Sequence, residues 1–429
     1  MDIQNKQFAS WLMTISAFLF GISLSSLYIS RSTIAITLGL SLICALIASP
    51  TYKIRDFKQA IPTQLWIFLG IILMGLGASI FTSLKPDTSF STWLRLASLP
   101  VSIAFLCYLL ISKIALIHRV LTVSLFICLI YSVLGLYFNN HFLLLLIGKE
   151  TSRDFNLTLK PLLTVSLLSL PIALLYLHKN MRLNPVYSIG TFLFFGVLIL
   201  FSLAKSTLSG FLIMTATCGL VYLIRLQNKK IILSSLCLFG ISFSAALIWL
   251  KEHIYTLSQA GEKLGYLPVW LIDLHRQLIW QFSWENIQLS PLFGYGINAS
   301  NYLEGSSQSV SQYLQTKGVS FTDPTAQSVP ILPSHTHNWI IEIALDTGLV
   351  GSIPFIIAIV SMFVFLTSRY VRTGHLALMC AIAINAAYWG SGLFNFSYWS
   401  AWWQTSYYVS FFFCLALYFD DQSSEKELT

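Results

Sequence analysis

Apolar residues run along this chain in blocks too long for the core of a soluble domain. Such blocks lie at about 9–29, 33–49, 64–82, 95–112, 120–138, 161–178, 186–203, 209–224, 231–250, 349–368, 376–393 and 401–419. A helix needs about 20 predominantly apolar residues to cross the hydrocarbon of a bilayer. The pattern therefore predicts an all-α, polytopic integral membrane protein with about twelve transmembrane helices. Residues 251–337, between the ninth and tenth blocks, form one large polar loop holding short helices. The chain divides into 1–250 with spans one to nine, the loop 251–337, and 338–429 with a re-entrant or interfacial helix, spans ten to twelve and a short tail. Residues 420–429 are polar and are expected to be disordered.

The pattern changes most sharply where the loop re-enters apolar sequence, over Ser334-His335-Thr336-His337-Asn338-Trp339 and on to Gly348 and Gly351. Pro333-Ser334 reads as a helix start with Ser334 as the cap. From Thr336 to Asp346 the run is too short to span, so a short interfacial helix broken at Gly348 is expected, followed by a true span. A histidine in the first turn of that helix would feel the positive end of the dipole and stay neutral, as a general base must. Earlier in the loop, Arg276 to Ile287 has helical spacing with an aromatic and aliphatic face, and reads as an amphipathic helix on the membrane surface ended by Pro291 and Gly294. Residues 301–333, rich in Ser, Gln and Thr, read as a flexible loop or lid.

Composition agrees with the pattern: 56% hydrophobic, 10% charged and a mean hydropathy of +0.72 exclude a soluble domain. The net charge of +8 would otherwise suggest nucleic acid, but the basic residues sit in short loops. With the amino terminus inside, the cytoplasmic segments hold fourteen of the twenty-five, the short outer segments and span ends seven, and the large loop four. The positive-inside rule then puts both termini in the cytoplasm and the large loop outside. The first apolar run is long and lacks a small-residue cleavage site, so no cleavable signal peptide is expected. All seven cysteines fall in apolar runs, which suggests neither disulfides nor a thiolate metal site.

Chemistry is expected on the outer face, where Arg153, Lys205, Arg276, His335 and His337 lie near membrane boundaries. Singly, each cation could be snorkelling to lipid phosphates; as a set they suggest an anion site. A zinc site from His335, His337 and Glu342 or Asp346 is the weaker reading, because His-x-His separates the rings badly on a helix. Glu342 and Asp346, four apart, share a helix face and read as solvent-facing charge, with a carboxylate pair as the alternative. The cluster Phe394-Asn395-Phe396-Ser397-Tyr398-Trp399 with Trp402-Trp403 reads as an interfacial aromatic belt, with a sugar-stacking platform as the alternative.

The ordered set Arg276…Trp280…Pro291-Leu292-x-Gly294-x-Gly296, then His335-x-His337-Asn338…Asp346-x-Gly348-x-x-Gly351, resembles the O-antigen ligase and O-antigen polymerase superfamily. The layout of twelve spans with a large late outer loop resembles it too. Arg153 falls in an outer loop where the family often carries an arginine. Lys205 stands where the family usually has an arginine, keeping the charge without the bidentate fork, and Asp346 stands where many members have glutamate. The resemblance implies metal-independent, inverting glycan transfer, without a cofactor, on the periplasmic side of a Gram-negative inner membrane. The donor would be a glycan on undecaprenyl diphosphate, the acceptor a sugar hydroxyl of lipid A-core, with membrane lipids and other O-antigen assembly proteins as further partners.

The residues suit that chemistry. Charge building on a diphosphate leaving group calls for fixed cations, with Arg276 first and Lys205 and Arg153 behind it. His337 is the candidate base, His335 shares or orients it, and Asn338 and Glu342 could hold the imidazole tautomer or the acceptor sugar. An O-antigen polymerase or protein O-oligosaccharyltransferase would use the same donor. A transporter or flippase of lipid-linked glycan is the more distant alternative, and would call for ionisable residues deep inside broken spans.

Overall fold

The computed structural model describes residues 3–49, 63–138, 155–179, 184–202, 204–227, 234, 272–318 and 327–428. Among these, thirteen α-helices form and no strand does. They are α1 (Ile3–Ile22), α2 (Thr33–Ala48), α3 (Thr63–Ala78), α4 (Pro86–Leu109), α5 (Ile114–Phe138), α6 (Phe155–Lys179), α7 (Pro185–Phe201), α8 (Lys205–Arg225), α9 (Leu274–Leu289), α10 (Val310–Thr316), α11 (Trp339–Thr373), α12 (Leu376–Gly392) and α13 (Ala401–Leu428). Among the described residues, five segments are long and apolar enough to cross a membrane: Pro86–Leu109, Ile111–Leu136, Leu159–Lys179, Lys205–Arg225 and Trp339–Thr373. Shorter apolar helices accompany them at Thr33–Ala48, Leu69–Ala78, Pro185–Phe201 and Leu376–Gly392. The run expected at 231–250 lies outside the described residues, apart from residue 234, as does the start of the large loop.

Helices in lipid gain little from burying apolar surface against one another, so close packing and small residues decide their contacts. α12 is buried along nearly its whole length and sits at the centre. It meets α8 where a Cβ on Gly210 would come within 2.1 Å of Ser391 Oγ and 2.7 Å of the Ala387 carbonyl. Ser209 Oγ donates to the Gly390 carbonyl across the same seam. α6 joins α8 through Thr164 and Thr207, whose hydroxyls are 2.7 Å apart.

The expected break at Gly348 is present: φ is 57° and ψ is −163°, a conformation that L side chains avoid. Its cause is the loop that crosses it. Leu349 and Val350 amides donate to the Pro291 and Leu292 carbonyls, while Tyr295 and Gly296 amides donate to the carbonyls of Leu345 and Asp346. A Cβ on Gly348 would lie 2.4 Å from the Leu292 carbonyl, and one on Gly294 2.5 Å from Asp346 backbone. The glycine-rich motif is thus a backbone cross-brace. Gly348→Ala is expected to cost about 3 kcal/mol or more, read as a lower midpoint of thermal unfolding in detergent. An unchanged midpoint would show that the brace is loose.

Three expectations are corrected here. The face of α9 that carries Leu278, Ile279 and Phe282 packs on Leu303, Val310, Tyr313, Leu314, Ile331 and Leu332, so it is covered by the rest of the loop rather than by a membrane surface. The described parts of 301–333 are ordered for the same reason: Ser309 and Gln312 form a reciprocal capping box on α10, and Ile331 and Leu332 amides reach the Gln308 and Ser306 carbonyls. Residues 420–428 are helical, continuing α13, and Asp421 is held by Lys179 and His375.

Candidate active site

His335 and His337 lie just before α11, on a connection braced from both sides. Asn338, not Ser334, caps the helix: its Oδ1 accepts from the amides of Ile340 at 3.0 Å and Ile341 at 3.3 Å. Thr336, buried, fixes the turn by donating to the Asn338 carbonyl, and its own carbonyl accepts from Trp280 Nε1 of α9 at 2.9 Å. Ser334 instead shares a 2.7 Å hydrogen bond with His335 Nδ1. The histidines therefore precede the helix rather than sit in its first turn.

Their geometry marks them as a pair. The ring centroids are 4.1 Å apart. His337 takes a left-handed backbone, φ 57°, which costs an L residue about 1–2 kcal/mol. His337 Nδ1 and His335 Nε2 are buried without a hydrogen-bond partner in the protein. Buried polar atoms are nearly always paired, so two orphans side by side point to a place where another molecule's polar groups go. Burial first, then the charges of His337, Arg276, Lys160 and Arg31, push His335 down to about 3. Burial, then Arg276 and Lys160, push His337 down to about 4, against an opposing hydrogen bond from Asn395. The expected neutral imidazole is thus present, but its causes are burial and fixed cations.

Arg276 is in the first turn of α9. Asp273 caps that helix by accepting from the Arg276 amide at 3.0 Å, and its second oxygen lies 3.2 Å from Arg276 Nε. One carboxylate thereby fixes both the helix end and one edge of the guanidinium. The Arg276 side chain is 15% exposed, leaving it desolvated enough for its charge to matter. Lys160, in the early part of α6, lies within electrostatic reach of Arg276, Asp273 and Lys205. Lys205 opens α8, two residues before Thr207, whose hydroxyl meets Thr164 one turn beyond Lys160. The structure thus pairs His335 with His337, brings Arg276 and Lys160 within electrostatic reach of both, and sets Lys205 within that reach of Lys160. Arg153 lies outside the described residues. Lys160 was not singled out from sequence; its signal is the one that flagged Lys205, a cation at the start of an apolar run.

Glu342 and Asp346 correct a reading. Both are buried rather than solvent-facing, at 2% and 0% exposed. Glu342 accepts from Ser397 Oγ at 2.5 Å and the Tyr398 amide at 2.7 Å. Asp346 accepts from Trp399 Nε1 at 2.5 Å and from the Asn298 and Ser300 amides, each at 3.1 Å. Glu342 therefore binds the 393–400 connection, and among the described contacts it touches neither histidine. The aromatic cluster is also corrected: Phe396, Tyr398, Trp399, Trp402 and Trp403 are all buried in protein, so they form no interfacial belt. Trp339 meets Trp389 at 4.9 Å, joining the start of α11 to α12, and Tyr398 meets Phe355 at 5.0 Å, joining the 393–400 connection to the middle of α11.

Residues 189–356 match the family described as O-Antigen ligase. That stretch holds Lys205, Arg276, both histidines, Asn338, Glu342 and Asp346, while Lys160 and the 393–400 connection lie outside it. Among curated proteins, the chain is 28% identical over 141 residues to a Rickettsia conorii protein named "Putative polysaccharide ligase", covering 33% of this chain and 31% of that one. A Rickettsia typhi protein of the same name is 24% identical over 192 residues, 43% of this chain and 42% of the other. A Rickettsia bellii protein so named is 27% identical over 195 residues, 44% and 42%. The aligned region thus spans well under half the length of the curated relatives. Over residues 189–356, under half of its length, this membrane protein is similar to the O-antigen ligase family.

Proposed function

We propose that the chain is a membrane glycosyltransferase that moves a glycan from undecaprenyl diphosphate to a sugar hydroxyl of lipid A-core. The observation that carries this reading is a pair of neutral imidazoles, with unpartnered buried nitrogens, set beside the cations Arg276 and Lys160. The acceptor hydroxyl gives its proton to His337 as its oxygen bonds to the anomeric carbon. The carbon–oxygen bond to the diphosphate breaks, and the leaving group departs with the electron pair, inverting the centre. Arg276, Lys160 and Lys205 hold the charge that builds on it. The chemistry belongs on the periplasmic face of a Gram-negative inner membrane, in a twelve-span layout with both termini cytoplasmic.

Reconstitution with undecaprenyl-diphosphate glycan and purified lipid A-core tests this. Glycan on lipid A-core, absent with His337→Ala, supports it. Longer lipid-linked chains would mean a polymerase, glycan on protein a protein O-oligosaccharyltransferase, and movement of donor without transfer a transporter.

A pH profile tests the electrostatics. A base must be neutral to act, so activity is lost as pH falls through its pKa. In the free enzyme that fall should lie near the depressed His337 value of about 4. A bound diphosphate offsets Arg276 and Lys160, the charges that lower it. The acid limb of kcat should therefore lie at higher pH than that of kcat/KM for the donor. Coincident limbs would show that the donor does not meet these cations.

A further inference from the structure

Arg276 rides on α9, while His337 stands on the turn that leads into α11. Two sets of bonds tie these elements together. Beyond the far end of α9, the cross-brace joins residues 291–296 to residues 345–350. Near its start, Trp280 Nε1 donates to the Thr336 carbonyl at 2.9 Å. Trp280 lies four residues after Arg276, so the two side chains are neighbours on one face of α9. Thr336 is the residue between the two histidines. A helix tied at one point can pivot. The ties here lie about 14 Å apart, the rise over the nine residues from Trp280 to Leu289, and so fix its direction.

Resting on the glycosyl-transfer reading, we propose that Trp280 is a positioning residue, whose indole N–H holds Arg276 at the distance from His337 that in-line displacement needs. The acceptor oxygen, with the base beside it, and the departing diphosphate oxygen lie on opposite sides of the anomeric carbon. Base and cation must therefore keep a fixed separation, and an error of about 1 Å in such geometry can cost about 10²-fold in rate.

Neither residue sets that separation by itself. Asp273 fixes Arg276 to its own helix, and Thr336 closes the histidine turn by donating to the Asn338 carbonyl at 2.8 Å. His275 Nε2 meets the Pro330 carbonyl at 3.0 Å, five residues before His335, and so holds the approach to the turn rather than the turn. The bond from Trp280 is the one that reaches between the histidines. Thr336 is buried, so water does not stand in for the indole once it is lost. The Trp280 ring also packs against the apolar cluster that covers α9, and a test must separate ring from bond.

Trp280→Phe keeps a ring without the N–H, and Trp280→Gln keeps an N–H the same number of bonds from Cβ without the ring. With reconstituted donor and acceptor, Trp280→Phe should lower kcat at least about 10-fold with donor KM held, and Trp280→Gln should lose less. In an Arg276→Ala background the same Trp280→Phe change should cost much less, because the cation it positions is gone. Should Trp280→Phe not fold, Trp280→Leu removes the same N–H. A second readout does not depend on transfer. Diethyl pyrocarbonate takes only the neutral ring, so the pH midpoint of His337 modification, followed by peptide mass spectrometry, reports the charges around it. Those facing His337 are His335 on its own segment, Arg276 and His275 of α9, and Lys160 of α6. Loosening the turn from α9 should raise the midpoint by about half a unit or more, and by less where Arg276 is already alanine. Equal rate losses and equal midpoint shifts in both backgrounds, or a loss on donor KM alone, would overturn the proposal and leave Trp280 as packing. Wild-type protein that makes no product would overturn the glycosyl-transfer reading instead, and the midpoints would then decide whether Trp280 holds Arg276 to His337.

Discussion

Replacing His337 with alanine is expected to lower the transfer rate by about 10²–10⁴-fold while leaving donor binding nearly intact. The ring is held neutral and its Nδ1 is buried without a partner, so it can take a proton from a substrate hydroxyl bound against it. His337 also holds a left-handed backbone, so alanine removes the base and adds strain together. His337→Gly separates the two, since glycine accepts φ 57° without penalty. Equal losses in both variants, with unchanged thermal midpoints, would place the effect on the imidazole. Activity retained in His337→Gly would mean that the turn, not the ring, is what transfer needs. His335→Ala should cost less, because its Nδ1 is tied to Ser334 and it touches His337 through its ring. A loss in His335→Ala as large as that in His337→Ala would make the pair, rather than one ring, the proton acceptor.

Much of this was legible in the sequence, for reasons that differ by residue. The break at Gly348 could be read because a glycine ending a short apolar run has one common use, and the structure puts it to that use. Arg276 could be placed at a helix start because the helical spacing begins with it, and the structure adds Asp273 as the cap. The pattern failed wherever a polar residue's partner lies far along the chain. Glu342 and Asp346 look like a solvated stripe, and only the fold brings Ser397, Trp399 and the Asn298 and Ser300 amides onto them. The aromatic cluster has the composition of an interfacial belt, yet Phe396, Tyr398, Trp399, Trp402 and Trp403 are buried, and Tyr398 stacks on Trp389 of α12 and meets Phe355 of α11 edge-on. Ser334 and Asn338 are both good caps, and composition alone does not rank them. Thr336 donates to the Asn338 carbonyl and Trp280 Nε1 to the Thr336 carbonyl, and Asn338 Oδ1 is the oxygen that meets the Ile340 and Ile341 amides. Lys160 was hidden because a single lysine at a membrane boundary has an ordinary explanation in snorkelling.

Arg276→Ala is expected to reduce kcat/KM for the donor by about 10²–10³-fold, the usual effect of removing one fixed donor from developing charge. The substitution spares the helix, because Asp273 caps it through the Arg276 backbone amide, which alanine keeps. Arg276→Lys should recover only part of the loss, since an ammonium restores charge without the fork that meets two phosphate oxygens. Lys160→Ala should do less than Arg276→Ala, because Arg276 precedes Lys160 in its effect on both histidines. The arginine also has a second, opposite signature. Its charge is one of the forces holding His337 near 4, so its removal should move the acid limb of kcat/KM to higher pH. A variant that loses rate and shifts its acid limb upward has lost a cation standing between leaving group and base. One that loses rate with the limb unmoved has lost only a structural contact, and the anion site would then have to be built from Lys160 and Lys205 alone.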